Sequence, residues 1–303
     1  MKKCIMLILS LIITIITLNG CGKTIKNSTL SFAVEMNDHA AAAYVAKAKG
    51  LYKKYGIDVK AFNQYATGME LATALSRGDI NVGYVCVIPA IIAYSRGVPI
   101  KIVSLTHQYG YELVTQKNIS NINQLNGANI ACPGEGSAAN FIMKLTEEKY
   151  NLKFKPLRTK PMEEVALMEK GVVKAVFIPE HYASILYSKG FRILLRAQDI
   201  FPDMPGSCVV VKDSVIKNDP EIVRKLQKIT QIGTEFVNSD RKQAAAIIAK
   251  RLNCNIQTIE YSMNNLDYTT RIEPEEIQKE IDLLAKWGYI KKFNAENIIW
   301  NGN

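Results

Sequence analysis

The chain has 303 residues, of which 48% are hydrophobic and 22% are charged, proportions that are ordinary for a folded globular protein. Its formal charge of +10 comes from scattered basic residues, with short doublets such as Lys53-Lys54 and no long basic run. A nucleic-acid-binding protein needs a concentrated basic stripe, so this charge predicts no nucleic-acid partner. It favours a solvated basic surface near anionic lipid.

The first 20 residues have the parts of a secretory signal. Lys2 and Lys3 give a positive start, and residues 5–18 form an apolar run shorter than the ~20 residues that a membrane-spanning helix needs. The run leads into Leu18-Asn19-Gly20-Cys21, which resembles the lipobox at which bacterial lipoproteins are cut and lipidated. We predict a signal peptide at 1–20, lipidation at Cys21 and a polar tether at 21–28. The protein would then be extracytoplasmic and lipid-anchored to the bacterial cell membrane; an ordinary signal peptide or an uncleaved anchor is the alternative.

Beyond the tether, short apolar runs alternate with segments of helical periodicity. The pattern predicts strands at 30–35, 57–62, 80–83 and 100–105, and helices at 40–49, 68–77 and 89–95. It then restarts, with strands at 111–115, 128–132, 154–157, 175–178, 192–195 and 208–211, and helices at 138–150, 162–169 and 181–189. From residue 219 the chain is almost wholly helical, with helices predicted at 221–237, 241–251, 256–264 and 274–287. Such alternation favours parallel sheets with helices on both faces.

Two successive α/β sets predict an α/β fold of two lobes, with a hinge and a helical C-terminal segment that packs back on the first lobe. We assign residues 29–106 and 212–303 to lobe 1 and residues 107–211 to lobe 2. The chain would cross between the lobes near 106–110 and near 205–208. Two lobes joined by a double crossing suit hinge closure around a small ligand.

Four cysteines follow Cys21 in the sequence: Cys86, Cys132, Cys208 and Cys254. An even number outside the cytoplasm permits two disulfides, but isolated cysteines also fit buried free thiols. Because no Cys-x-x-Cys pair occurs, a zinc knuckle or redox motif is not predicted.

Three segments resemble one family of binding proteins. Residues 50–59 (GLYKKYGIDV) are similar to its first helix-to-strand junction, residues 77–83 (RGDINVG) to its "aGdiDva" segment, and residues 119–131 (ISNINQLNGANIA) to the segment that opens its second lobe. The family is the nitrate/sulfonate/taurine (SsuA/NMT1/THI5-like) branch of periplasmic substrate-binding proteins. The resemblance implies a type II periplasmic binding protein fold, no catalysis, and partnership with an ABC permease and its ATPase, in a chain that we expect to be a monomer.

Other functional classes share this fold. The THI5-like pyrimidine-synthesis enzymes are similar, but they are intracellular and carry a cysteine-rich stretch that this sequence lacks. A hydrolase is disfavoured because neither a Gly-x-Ser-x-Gly nor a His-Glu-x-x-His motif occurs. A sensory solute-binding lipoprotein that uses the same cleft is a further alternative.

The candidate ligand-binding residues follow from one rule of α/β sheets, in which ligands bind beyond the carboxyl ends of the strands. Six predicted loops lie at such ends, and no catalytic residue or cofactor is predicted in them. The candidates are Asn37, His39, Tyr65, Thr67, Gly68, Cys86, His107, Gly136, Ser137, Glu180 and His181.

The turn at residues 133–137 has the most specific pattern among these loops. Its two glycines allow close backbone approach, and Ser137 can cap the helix that follows, whose N-terminus suits an acidic group. A plain capped turn is the alternative. Glu135 and Glu180 would repel a simple anion, whereas tyrosines on the same loops could stack on a heterocycle. We therefore expect a small organic solute: a sulfonate, a nitrate-like anion or a heterocyclic precursor.

The three histidines of the chain, His39, His107 and His181, all fall on these loops. Imidazole is a common ligand of transition metals, so one hypothesis is a shared metal. Separate hydrogen-bonding roles are favoured over that hypothesis, and no metal site is predicted.

Overall fold

The computed structural model describes residues 28–302, which form two α/β lobes. The predicted signal peptide, Cys21 and residues 22–27 of the predicted tether lie outside the described residues. Ser28, which the sequence placed in the tether, is the first residue of the first strand. In the described part of the chain, no helix has the length and apolar character needed to cross a membrane.

The strands and helices follow the alternation that the sequence predicts. The described strands are β1 (Ser28–Glu35), β2 (Ile57–Tyr65), β3 (Val82–Cys86), β4 (Ile100–Gln108), β5 (Tyr111–Thr115), β6 (Asn129–Cys132), β7 (Lys155–Arg158), β8 (Ala175–Pro179), β9 (Arg192–Arg196) and β10 (Pro205–Lys212). The described α-helices are α1 (Ala41–Ala48), α2 (Leu51–Lys54), α3 (Gly68–Arg77), α4 (Val87–Ser95), α5 (Ala138–Tyr150), α6 (Pro161–Glu169), α7 (Glu180–Ser188), α8 (Ala197–Ile200), α9 (Asp213–Asn218), α10 (Glu221–Ser239), α11 (Arg241–Leu252), α12 (Ile256–Met263) and α13 (Pro274–Lys286).

Local signals explain why several predicted bounds agree with the structure to the residue. Helix α3 begins after Thr67, whose side chain accepts a hydrogen bond from the Glu70 N–H, and ends at Gly78, whose φ of +85° suits glycine. Helix α5 begins after Ser137, which accepts from the Asn140 N–H in the same way. These caps can be predicted from sequence because each involves residues within one turn of the helix end.

Each lobe is built on a five-stranded sheet with one antiparallel strand inside it. The first sheet has the order β2-β1-β3-β10-β4, in which β10 runs antiparallel to β3 and β4. The second has the order β7-β6-β8-β5-β9, in which β5 runs antiparallel to β8 and β9. The prediction of parallel sheets is therefore wrong for β5 and β10. Each is the first strand after the chain changes lobes, so it enters its sheet from the hinge and runs against its neighbours.

The position of β10 also corrects the predicted lobe boundary. Residues 205–211 were assigned to lobe 2, but they pair with β3 and β4 in the first sheet. His107 and Gln108 likewise belong to β4 of the first sheet. Lobe 1 therefore extends to Gln108 and resumes at Pro205.

The two connections between the lobes lie side by side. Tyr109 and Gly110 join β4 to β5, and residues 201–204 join α8 to β10. The Tyr109 N–H donates to the Met204 carbonyl at 3.0 Å, so the two connections are hydrogen-bonded. Tyr109 and Gly110 have φ values of +68° and +111°, which turn the chain sharply between the lobes. This geometry suits the two-segment hinge that the sequence predicts, with the second crossing a few residues earlier.

The C-terminal helices contact both lobes, whereas the sequence predicted packing on the first alone. Helices α10 and α11 pack against α1 in lobe 1, but α12 packs against α7 in lobe 2. The ring of Trp287, just after α13, packs edge-on against Phe141 of α5, with ring centroids 5.2 Å apart. The apolar core is also continuous across the lobes, since Leu71 and Ile91 share a cluster with Leu113.

The cysteines after Cys21 are free thiols. Three of them are buried and one is half-buried, and none forms a disulfide. The sequence left open either two disulfides or free thiols, and in the structure these cysteines are free thiols.

Candidate functional site

The predicted loops of both lobes meet at a small enclosed cavity, which we call the cleft cavity. Its volume is about 10 Å³, close to the smallest that admits one water molecule. Lobe 1 lines it with Glu35, Ala66, Thr67, Gly68, Cys86 and Pro89. Lobe 2 lines it with Tyr111, Pro133, Ser137, Ala138, Pro161 and Pro179. The cavity is thus formed jointly by the two lobes.

Helix N-termini surround this cavity. Helices α3 and α4 begin beside it in lobe 1, and α5, α6 and α7 begin beside it in lobe 2. Each N-terminus carries a partial positive charge and N–H groups without partners inside the helix. The N-termini of five helices therefore converge on the cleft.

Four predicted site residues line the cleft cavity: Thr67, Gly68, Cys86 and Ser137. Thr67 and Ser137 are also the caps of α3 and α5. The Ser137 hydroxyl donates in turn to the Gly134 carbonyl at 2.7 Å, which fixes the turn before α5. Thr67 and Ser137 therefore orient the helix N-termini as well as facing the cavity.

His39, Glu180 and His181 form contacts between the lobes beside the cavity. His39 Nε2 lies 3.4 Å from Glu180 Oε2, and His181 Nδ1 lies 3.5 Å from Asp38 Oδ1. All four side chains are buried. Burial raises the pKa of Glu180 well above its usual range and lowers the pKa of His39. The pair is therefore shifted toward its uncharged forms while the lobes are closed.

Asn37, Tyr65, His107 and Gly136 do not line the cleft cavity. The Asn37 side chain accepts a hydrogen bond from the His39 N–H and so shapes the loop that carries His39. The half-buried Tyr65 packs against the apolar core. His107 lies at the hinge, where its ring contacts the ring of His39 at a centroid distance of 4.4 Å.

Gly136 lies at the mouth of the cleft rather than inside it. Its φ is +88°, and a Cβ added there would be 3.4 Å from Ile92 Cδ1 and 3.6 Å from Met69 Sδ in lobe 1. It borders an open groove of about 410 Å³ between the lobes, together with Glu135, Arg96 and Arg158. Lys160 and Glu70 form a 2.8 Å ion pair across the same mouth.

The histidines do not form a metal site in this structure. His39 and His107 are neighbours, whereas His181 pairs with Asp38. Within residues 28–302, no group of three or more His, Cys, Asp or Glu side chains has an arrangement that could hold a metal ion. The hypothesis of a shared metal therefore gains no support from the geometry.

Sequence reasoning missed two polar residues of the cleft cavity, Glu35 and Tyr111. Glu35 is the last residue of β1, and its Oε1 accepts a hydrogen bond from the Cys86 N–H at 2.6 Å. The Tyr111 hydroxyl lies 3.2 Å from Cys86 Sγ. A charged residue at the end of an otherwise apolar buried strand was the available signal for Glu35, since such a group needs a specific partner.

Comparison with known proteins places the chain in a family. A model of the NMT1-like family matches residues 24–253, which is most of the chain. This chain belongs to the NMT1-like family. Its two-lobed architecture is the type II periplasmic binding protein fold that the resemblance implied.

Individual relatives of this NMT1-like protein are distant in sequence and close in fold. The riboflavin-binding protein RibY of Chloroflexus aurantiacus is 22% identical over 218 residues, covering 69% of this chain and 62% of RibY. The periplasmic aliphatic sulphonate-binding protein SsuA of Escherichia coli is 20% identical, with a TM-score of 0.78 over 91% of this chain and 98% of SsuA. The periplasmic nitrate-binding protein NrtA of Synechocystis is 14% identical, with a TM-score of 0.79 over 91% of this chain and 86% of NrtA.

Proposed function

We propose that this protein captures a small organic solute between its two lobes and delivers it to an ABC permease and its ATPase. The observation that carries the proposal is the cleft cavity, where five helix N-termini and buried polar side chains of both lobes converge beside a double hinge. A site that is assembled from two lobes exists only when they close, which is how a carrier holds a solute and then releases it. We expect the protein to act as a monomer.

We also propose that the protein works outside the cytoplasm, anchored to the cell membrane by lipid. The support is the signal-like start and Leu18-Asn19-Gly20-Cys21, together with the start of the first strand at Ser28, soon after Cys21. Stable anchoring takes more than one acyl chain, as bacterial lipoproteins provide. We expect Cys21→Ser to abolish labelling by a radioactive fatty acid and to leave the uncut precursor. Normal labelling of this variant would contradict the assignment.

The ligand classes supported by the family are a sulfonate, a nitrate-like anion and a heterocyclic precursor. The test is mass spectrometry of small molecules that remain bound through native purification. A compound found in this way should raise the melting temperature when it is added back to protein that has been unfolded in urea, dialysed and refolded. Cells that lack the protein should also lose uptake of the compound. A retained compound that gives no rise in melting temperature would contradict binding in the cleft.

We propose binding without catalysis, in preference to a pyrimidine-synthesis enzyme. The thiol that lines the cleft cavity belongs to Cys86, and burial raises its pKa well above the usual range. A protonated thiol is a poor nucleophile, so Cys86 is unsuited to covalent chemistry at neutral pH. Recovery of the added solute chemically unchanged after prolonged incubation is the expected result, and conversion to a product would favour the enzyme.

A further inference from the structure

The carboxyl group of Glu35 occupies an unusual position in the cleft. Its Oε1 accepts the Cys86 N–H, at the start of α4, at 2.6 Å. The same oxygen lies 2.6 Å from the place where a Cβ on Gly68, the first residue of α3, would be. Gly68 thus leaves room for a carboxyl group of the protein itself against the N-termini of α3 and α4.

This arrangement changes what the cleft can bind. A helix N-terminus is an anion-binding position, but in lobe 1 a side-chain carboxyl already occupies it. An entering nitrate or simple sulfonate would meet the oxygens of Glu35 where free N–H donors would otherwise lie. On the facing lobe, Ser137 and Ala138 at the N-terminus of α5 line the cavity, and the Ser137 side chain accepts the Asn140 N–H.

Two further carboxyl groups, those of Glu180 and Asp38, are buried beside the cleft, where they face His39 and His181. Glu180 and Asp38 are buried, and Glu180 Oε1 and Asp38 Oδ1 have no hydrogen-bond partner within the described chain. No Lys or Arg side chain is buried among residues 28–302. Glu35 has the one carboxyl group among the side chains that line the cleft cavity, so a donor on the ligand would meet it there.

We propose that Glu35 is a ligand-recognising residue that selects a solute with an N–H or O–H donor group, such as an amidine, an ammonium or an amino-substituted heterocycle. The same carboxyl group disfavours nitrate and simple alkanesulfonates. This inference rests on the proposed function, because it names the ligand class of the same cleft. It favours the heterocyclic precursor among the three classes given above.

The test uses benzamidine and benzoate, two flat molecules of nearly the same shape. Benzamidine presents two N–H donors where benzoate presents two acceptor oxygens. The affinity of each is measured at neutral pH for the wild-type protein, for Glu35→Gln and for the control Glu235→Gln, which removes an exposed carboxylate of α10. We expect the wild type and the control to prefer benzamidine. Glu35→Gln should reduce that preference about tenfold or more, because the amide replaces one acceptor oxygen by an N–H donor that faces the donors of benzamidine.

Several results would overturn the inference. These are a wild-type preference for benzoate, a preference for benzamidine that survives in Glu35→Gln, and an absence of binding of both compounds to every variant. The glutamine can still accept the Cys86 N–H, so the fold is expected to persist. If Glu35→Gln does not fold, Glu35→Asp is measured instead, and its shorter side chain should lower the preference in the same direction. A wild-type preference for benzoate would refute the role of Glu35 but would still show that the protein binds a solute. Failure of this inference can therefore be distinguished from failure of the proposed function.

Discussion

Single buried residues at the hinge make the stability of this protein depend on pH. The ring of His107 lies against Gly110 and Gly206, and its Nε2 has no hydrogen-bond partner among the described residues. Burial lowers the pKa of His107 well below its usual value, and the neighbouring His39 lowers it further. The other ionisable groups that face this pair of rings are Glu35, Asp38, Cys86, Tyr111, Glu180, His181 and Tyr268. Folding therefore keeps His107 neutral at a pH where the unfolded chain would protonate it.

The sign of this effect follows from proton linkage. Because the folded pKa is below the unfolded value of about 6.5, the contribution of His107 is fully present above that pH and is lost as the pH falls toward the folded pKa. We expect the free energy of unfolding to fall by an amount that approaches about 1.4 kcal/mol per pH unit for this one group. The free energy of unfolding in urea is measured for the wild type and for His107→Asn between pH 5 and pH 7.5. The difference between the two slopes of this free energy against pH gives the contribution of His107, because the buried carboxyl groups titrate in both proteins. Equal slopes in the two proteins would show that His107 is not the group responsible.

At the scale of elements, closure brings the turn before α5 against helices α3 and α4. Valine at position 136 would adopt a strained φ, at a cost of about 1–3 kcal/mol, and its methyl groups would press on Ile92 and Met69. We expect Gly136→Val to lose most of the rise in melting temperature that the retained solute produces. The matched control is Gly127→Val. Gly127 also has a positive φ, of +70°, but no described atom lies within 4 Å of an added Cβ. It precedes β6, at the end of that strand that is away from the cleft. Similar solute responses in the two variants would mean that this turn does not form the site.

At the scale of the whole molecule, two adjacent connections and a cleft between the lobes predict closure around the solute. At a free concentration ~100 times the dissociation constant, binding should stabilise the folded state by about 2.7 kcal/mol. For a protein of this size, that energy corresponds to a rise in melting temperature of roughly 2–4 °C per kcal/mol. Small-angle scattering should show a smaller radius of gyration when the retained solute is added to solute-free protein. A radius that does not change with saturating solute would contradict hinge closure.

The sequence by itself determined most of the elements and the loops that meet at the cleft. The bounds of α3, α5 and β5 were predictable because helix caps, glycine stops and the period of apolar residues depend on neighbours along the chain. The rule that ligands lie at strand ends then selected Thr67 and Ser137, which the structure places at the cavity.

Only the tertiary structure decided which strands run antiparallel, which lobe contains residues 205–211, and where the C-terminal helices pack. Those outcomes depend on pairings between distant segments, such as β10 with β3, which no local pattern encodes. The role of Glu35 was hidden for the same reason. Its partner is the backbone of Cys86, 51 residues away, and the space that its carboxyl group occupies exists because Gly68 has no side chain.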